Sequence, residues 1–308
     1  MSDTGGPRRA GVRDVAARAG VSAQTVSRVL NDFPGIRDST RQRVLDAVAA
    51  LDYRVNNAAR ALGTSRTRTV GVVASDASLH GPSAGIAALE RAARARGRWI
   101  TTAYTASDDP AAVHAAVEHL LDQGVDGIVL VAAHTQTPLT GHDVPLVPLY
   151  GASGERQRSA AALIVTHLAD LGHRRIVEVA GPVDWREALS RTAGVADVVG
   201  SAASGAAVAD LVAASVRAGA TAVAVANDQM ALGLVAGLSA RGLAVPDDVS
   251  VGGFDDNPDA AFYTPALTTV RLDVEGEAAE AVATVLGEEP TRPAEPILVV
   301  RESTAPPR

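Results

Sequence analysis

From Thr69 onward, short apolar runs of strand length alternate with segments of helical periodicity, and this alternation restricts the possible fold more than any other feature of the chain. The expected strands are 70–74, 99–104, 127–131, 146–150, 175–179, 222–225, 249–253, 267–270 and 297–300. Helical patterns at 85–96, 110–123, 160–171, 205–218, 228–241 and 273–286 stand between them. Strands joined through helices run parallel and carry helices on both faces of the sheet. Ligands of such sheets bind beyond the C-terminal ends of the strands. Polar residues just past those ends are therefore the first candidates for a site.

The first sixty residues follow a different pattern. Residues 12–31 read VRDVAARAGVSAQTVSRVLN, with Val12, Val15, Ala16 and Ala19 on one helical face. Gly20 can take the left-handed conformation that ends a helix, and Ser22 is placed to cap the next one. That second helix turns Val26, Val29 and Leu30 inward, and a third, at 38–51, brings Val44, Val48 and Leu51. Two short helices around a tight glycine turn make a helix-turn-helix. Its second helix turns Ala23, Gln24, Thr25, Ser27 and Arg28 outward, a set able to meet phosphates and base edges.

Charge supports that division. The chain carries −7 overall, yet residues 1–66 hold eleven arginines against six aspartates, a surplus of five that leaves −12 for the remainder. A basic head on an acidic body concentrates phosphate-seeking charge in one small unit. All 28 basic side chains are arginine. The absence of cysteine excludes disulfides and thiolate metal sites. Residues 1–10 are polar, lack the apolar segment of a signal peptide and are expected to be disordered; no run is long and apolar enough to span a membrane. A cytoplasmic location is expected.

The strings DVAARAGVSAQTVSRVLN, TRQRVLDAVAALDYRVN and AARAL resemble the headpiece and hinge of the lac repressor/galactose repressor family of bacterial transcription regulators. The resemblance continues through GPVDWREALSRTAG at 181–194, VANDQMALGL at 225–234, VPDDVSVGGFDD leading to FYTPALTTVR within 245–271, and VVREST at 299–304. It implies an all-α helix-turn-helix headpiece at 11–55, a hinge helix and linker at 56–68, and an α/β two-lobed, periplasmic-binding-protein-like domain with parallel sheets at 69–308. That body would bind an effector and form a homodimer. The expected DNA-contacting set is Arg13, Ser22, Ala23, Gln24, Thr25, Ser27, Arg28, Asn31, Tyr53, Asn56, Ala59 and Leu62. In the family the hinge leucine, here Leu62, wedges into the minor groove and kinks the duplex; Val55 stands where many relatives have proline. The implied effector-binding residues are Arg191, Asn227 and Asp255, with Ser75 from the other lobe. Asn227 is equally placed to cap the helix after it, and Asp255 to sit in a turn. The partners implied are a pseudo-palindromic double-stranded DNA operator and a sugar-like small molecule.

The sequence also departs from the family pattern. The stretch between Tyr150 and Ala160 is short by a strand and its lead-in, and only 195–203 stands where the rest of a long helix, a loop and a strand are expected. The C-terminal lobe therefore reads as shortened. Aromatic residues that stack on sugar in some relatives are replaced near Gly200 and at Val274, and Tyr150 replaces an aspartate. An alternative reading follows: a DNA-binding dimer whose shortened body no longer senses an effector. A periplasmic binding protein is disfavoured by the headpiece and by the absence of a signal peptide. No G-x-S-x-G, Walker loop or metal-spaced cluster among His80, His114, His119, His134, His142 and His173 supports an enzyme, a metal or a cofactor.

Overall fold

In the computed structural model the described residues are 10–31, 33–53, 67–75, 77–105, 110–131, 136–152, 154–199 and 208–308. They fall into two compact units, Met1–Thr67 and Arg68–Arg308.

The described residues of the first unit form a three-helix cluster: α1 (Val12–Ala19), α2 (Ala23–Leu30) and α3 (Asp38–Ala50). Asp14 accepts the Gly11 N–H at 2.7 Å and closes the start of α1. Gly20, at φ 65°, ends it in the left-handed region that a side chain would disfavour. Ser22 Oγ accepts the Thr25 N–H at 3.1 Å and opens α2. Val15, Ala16, Ala19, Val26, Val29, Val44 and Ala47 are buried together, as the helical spacing predicts. So small a core holds only because the side chains are small enough for the helices to cross closely.

The second unit contains two lobes. In the first lobe, β1 (Thr69–Ser75), β2 (Trp99–Thr105), β3 (Gly127–Val131) and β4 (Leu146–Pro148) form a parallel sheet of order β2-β1-β3-β4. Helices α4 (His80–Ala95) and α5 (Pro110–Asp122) cover its two faces. Val70, Val72 and Ala74 of β1 point to the α4 side and Val73 to the α5 side, which is why the strand reads as an unbroken apolar run.

The second lobe begins with α6 (Glu155–Asp170) and continues through β5 (Ile176–Val179), α7 (Arg186–Val199), α8 (Val208–Arg217), β6 (Ala222–Val225), α9 (Asp228–Ser239) and β7 (Ser250–Gly252). Its parallel sheet has the order β5-β6-β7. Helix α7 lies along α6, and the approach is so close that a Cβ at Gly194 would collide with the Arg158 carbonyl. His173 joins Thr221 and the Ala305 carbonyl at 2.9 Å each, a structural role for a histidine placed in a loop after a helix. An antiparallel ribbon, β8 (Thr269–Arg271) with β9 (Ile297–Val299), flanks α10 (Val274–Leu286).

Helix α10 returns to the first lobe, where Ala278, Ala281, Val282 and Val285 pack against Val70, Val72 and Val129. The chain therefore crosses between lobes three times: after β4, before α10 and after α10. Tyr150 and Val274 touch the cores of both lobes. A charged tie accompanies the crossings, since Arg156 of α6 donates to both oxygens of Glu277 on α10, at 2.6 and 2.7 Å, and also meets Glu280.

Several boundaries differ from the sequence reading. Strand 146–150 ends at Pro148 and α6 starts at Glu155 rather than 160, so the short 150–160 stretch leads directly into a helix with no strand between. Helix α7 extends over 14 residues, where the sequence showed only a motif carrying Arg191. The expected hinge helix lies outside the described residues.

Glu277 is 2% exposed, and removing its partner would leave a carboxylate uncompensated in the interior. Arg156→Met is therefore expected to cost about 3 kcal/mol in urea unfolding. An unchanged midpoint would show that the pair does not hold the crossing in place.

Candidate effector cleft and nucleic-acid interface

The ends of β6 and β7 organise the cleft. After β6, Asn227 caps α9, its Oδ1 accepting the Met230 N–H at 2.8 Å. The next residue, Asp228, is fully buried and accepts from the Asn257 N–H at 2.8 Å and from Thr269 Oγ1 at 2.6 Å. Burial raises its pKa to about 7 against the pull of these donors. The turn it pins contains Asp255 and Asp256, both at positive φ (107° and 53°). Non-glycine residues held in that region concentrate at functional sites.

The two aspartates have different environments. Asp256 is gripped by Arg301 at 2.5 Å and by Arg271 at 2.6 Å. Burial acts to raise its pKa, but the two arginines outweigh it and hold the group below the ordinary carboxylate range. Asp255 faces the cleft instead. Enclosure raises its pKa to about 6, with Arg191 and His80 opposing.

Arg191 comes from α7. Its Nη1 donates to the Ala226 carbonyl at the end of β6, and its guanidinium lies over the Phe254 ring, 4.4 Å from the centroid. Arg191, Asn227 and Asp255 thus converge on one cavity of about 40 Å³ between the lobes. Leu79, Pro82 and Val131 of the first lobe form the opposite wall, and Tyr150, from the first crossing, closes one side. Burial pushes the Tyr150 phenol well above its ordinary pKa. The His80 N–H donates to Gln229 Oε1 at 3.0 Å and latches α4 to α9 across the cleft.

Ser75 is placed elsewhere. It is buried at the end of β1, hydrogen-bonded to Thr105 Oγ1 at 2.9 Å, and does not line the cavity. The sequence reading missed Trp185. It expected the aromatic wall to be lost at Gly200 and Val274, yet Trp185 lines the cleft and packs with Ala188 against Leu79. The signal was present, since the residue sits inside the GPVDWREALSRTAG motif and the chain has only two tryptophans. Gln229, two residues beyond the motif asparagine, was also overlooked. A larger groove of about 460 Å³ at the β4 edge shares Tyr150 with this site, and its Arg156 and Glu280 are bonded to each other. Among the described residues no group of three or more acidic or histidine side chains could hold a metal.

In the headpiece, Gln24, Ser27 and Arg28 are exposed along one face of α2, with Asn31 continuing the stripe. Ala23 and Thr25 are half-buried rather than fully outward: Ala23 packs on the core, and Thr25 shares a 2.9 Å hydroxyl bond with Ser22. Asn31 Nδ2 donates to the Ser27 carbonyl at 2.8 Å, and Arg28 lies 5.5 Å from the Phe33 ring centroid. Arg13 is exposed on α1, and Tyr53 packs against the core. Asn56, Ala59 and Leu62 lie outside the described residues.

Comparison with known proteins fits both units. Residues 11–56 match the bacterial regulatory protein lacI family, and residues 165–304 match the periplasmic binding protein-like domain. The chain is 37% identical to the HTH-type transcriptional regulator reg1 of Streptomyces lividans over 337 aligned positions, covering 95% of this chain and 96% of the relative. Because 95% of 308 residues is about 293, the relative carries roughly forty residues that this chain lacks. Among solved structures, the lac repressor dimer bound to operator and the anti-inducer ONPF matches with a TM-score of 0.74 at 29% identity, covering 97% of this chain and all of that one (100%). The complex of the regulator CelR with cellobiose matches at 0.65 and 28% identity, covering 96% of this chain and 100% of that one. With a capped helix-turn-helix at one end and a two-lobed α/β body following it, at such identity over nearly its whole length, the chain belongs to the lacI family of bacterial regulatory proteins.

Proposed function

We propose that the protein is a homodimeric transcription repressor that reads a pseudo-palindromic operator and is controlled by a saccharide-like effector in the cleft between its lobes. It is a regulator and not an enzyme, and acts in the cytoplasm, where its DNA is. The observation that carries the effector reading is the convergence of Asp255, Asn227, Arg191 and Gln229 with Trp185 at one inter-lobe cavity. A saccharide offers hydroxyls that donate and accept, with an apolar face between them. An anionic acceptor, amide and guanidinium donors and an indole wall are complementary to it.

The cavity of about 40 Å³ is far below the several hundred Å³ of a pocket that encloses a small organic ligand. Binding therefore requires the lobes to part, which breaks the His80–Gln229 latch. A ligand that binds only the opened arrangement shifts the population toward it, and the headpieces of a dimer respond through the half-site spacing they can span. Helix α2 would enter the major groove with Gln24 and Arg28 toward base edges and Ser27 toward phosphate. The expected role of Leu62 as a minor-groove wedge belongs to the same reading.

Selection from a random DNA pool is expected to yield a palindromic site with a steep negative log–log salt slope. Gln24→Ala should relax discrimination at one position of each half-site by about 1–3 kcal/mol, whereas Arg28→Ala should weaken binding. Failure to enrich any site would remove the operator reading. Leu62→Ala should lower both operator affinity and the bend angle, and an unaltered bend would exclude the wedge.

Calorimetric titration with a panel of neutral saccharides, sugar phosphates and nucleobases is expected to give one saturable heat with a saccharide. Ionised Asp255 accepts ligand hydroxyls, so affinity should be full above its pKa of about 6 and decline as pH falls through it. Asp255→Asn should remove that pH dependence. A panel that gives no heat would favour the scaffold reading, in which the shortened body only dimerises.

A further inference from the structure

Arg191 separates two spaces. The effector cleft lies on one side, and on the other is a small cavity of about 10 Å³ between α6, β5, β6 and α7. The side chains around this second space are apolar (Ile164, Val195, Ala224 and Phe254 among them) apart from Arg191 and Glu178.

Glu178 is a carboxylate on a buried strand of the sheet, 4% exposed. Its Oε1 accepts from Thr192 Oγ1 at 2.8 Å, while Oε2 is buried and meets no partner among the described residues. Arg191 Nε is likewise buried and meets none. Burial raises the Glu178 pKa, with the Thr192 hydroxyl opposing. Two such orphaned groups facing one cavity would each cost about 1–3 kcal/mol, more when charged, unless something joins them. A cavity needs roughly 10–15 Å³ and at least two polar partners to hold a water. This one has the volume, a donor on one side and an acceptor on the other.

We infer that a single buried water joins Arg191 Nε–H to Glu178 Oε2, and that Glu178 is thereby a positioning residue for the cleft arginine. Stacking on Phe254 fixes the plane of the guanidinium, the Ala226 carbonyl fixes the Nη1 edge, and the water fixes the Nε edge. The remaining direction is set by default. Arg191 and Asp255 line the same cleft, yet among the described residues they form no ion pair. The guanidinium still acts across the cleft to lower the Asp255 pKa, and the Asp255 side chain is left able to accept from a ligand. The assignment of Arg191 to effector binding rests on the reading above, but the water and its two partners stand whether or not a saccharide binds.

A crystal structure of the full chain at a resolution that orders single waters tests this directly. The expected result is a water within hydrogen-bond distance of both Arg191 Nε and Glu178 Oε2. A direct Arg191–Glu178 pair, or no density between them, overturns it. The Nε–H resonance of Arg191, identified by its loss in Arg191→Lys, supplies a second readout. It should exchange slowly in the parent and in Glu178→Gln, which keeps an acceptor oxygen. In Glu178→Leu exchange should be faster by roughly tenfold, the factor expected for one hydrogen bond. Unchanged exchange in that variant overturns the proposal, and should it fail to fold, rapid exchange in the parent does the same. A saccharide screen that fails leaves both readouts intact, so the two proposals fall separately.

Discussion

The geometry of the cleft depends on one buried carboxylate. Asp228 is the first residue of α9, and its side chain turns back into the second lobe to hold the Asn257 N–H and the Thr269 hydroxyl. Its own N–H donates to the Phe254 carbonyl at 2.9 Å. Helix α9, the turn after β7 and strand β8 are thereby tied at one point. This tie, the Asp255 N–H on the Val270 carbonyl and the two arginines on Asp256 together hold both aspartates at positive φ. Strain of this kind costs about 1–3 kcal/mol per residue. Each hydrogen bond to the Asp228 side chain returns about 1 kcal/mol net against that strain. The neighbouring Asn227 caps α9 through Oδ1 and also lines the cleft, so capping does not take the side chain out of the site.

The lobes are joined by features that resist some motions and permit others. Three chain crossings, the shared contacts of Tyr150 and Val274, and the Arg156–Glu277 pair tie the lobes together. Across the cleft, by contrast, the polar links include the His80–Gln229 bond and a bond from Arg186 Nη2 to the Thr137 carbonyl at 3.2 Å, and Leu79 packs with Trp185. Stronger ties through the crossings and weaker ones across the opening describe a hinge. Closure needs no rearrangement inside either lobe, since each has its own parallel sheet and its own core.

Much of this was legible in the sequence because it is written in local patterns. The headpiece helices follow from the spacing of Val15, Ala19, Val26 and Val29, and their ends from Gly20 and Ser22. Strands buried on both faces, such as β1 and β3, are unbroken apolar runs and were found almost to the residue. Helix α7 was harder, because a helix that packs along another through Gly194 and carries Arg191 and Glu187 inward lacks a simple apolar stripe. Ser75 was chosen for its place at a strand end, a rule that locates the right edge of the sheet but not which way a hydroxyl turns. Trp185 was overlooked because its role depends on tertiary placement against Leu79, which no spacing within α7 reveals.

The magnitudes identify which contacts must do the switching. Moving a two-state population from one extreme to the other needs about 5.5 kcal/mol of differential binding. The His80–Gln229 bond contributes about 0.5–1.5 kcal/mol net, so breaking it is a minor cost and cannot by itself set the balance. The differential must come from groups that a ligand reaches only when the lobes part. Under the function proposed above those are the Asp255 carboxylate, the Asn227 amide, the guanidinium of Arg191 and the face of Trp185, which line one cavity. All four stand on the second lobe, on elements fixed by the Asp228 tie or by the α6–α7 contact. The half of the cleft that carries these residues is therefore preorganised, and on the proposed function the conformational freedom lies in how the first lobe sits against it.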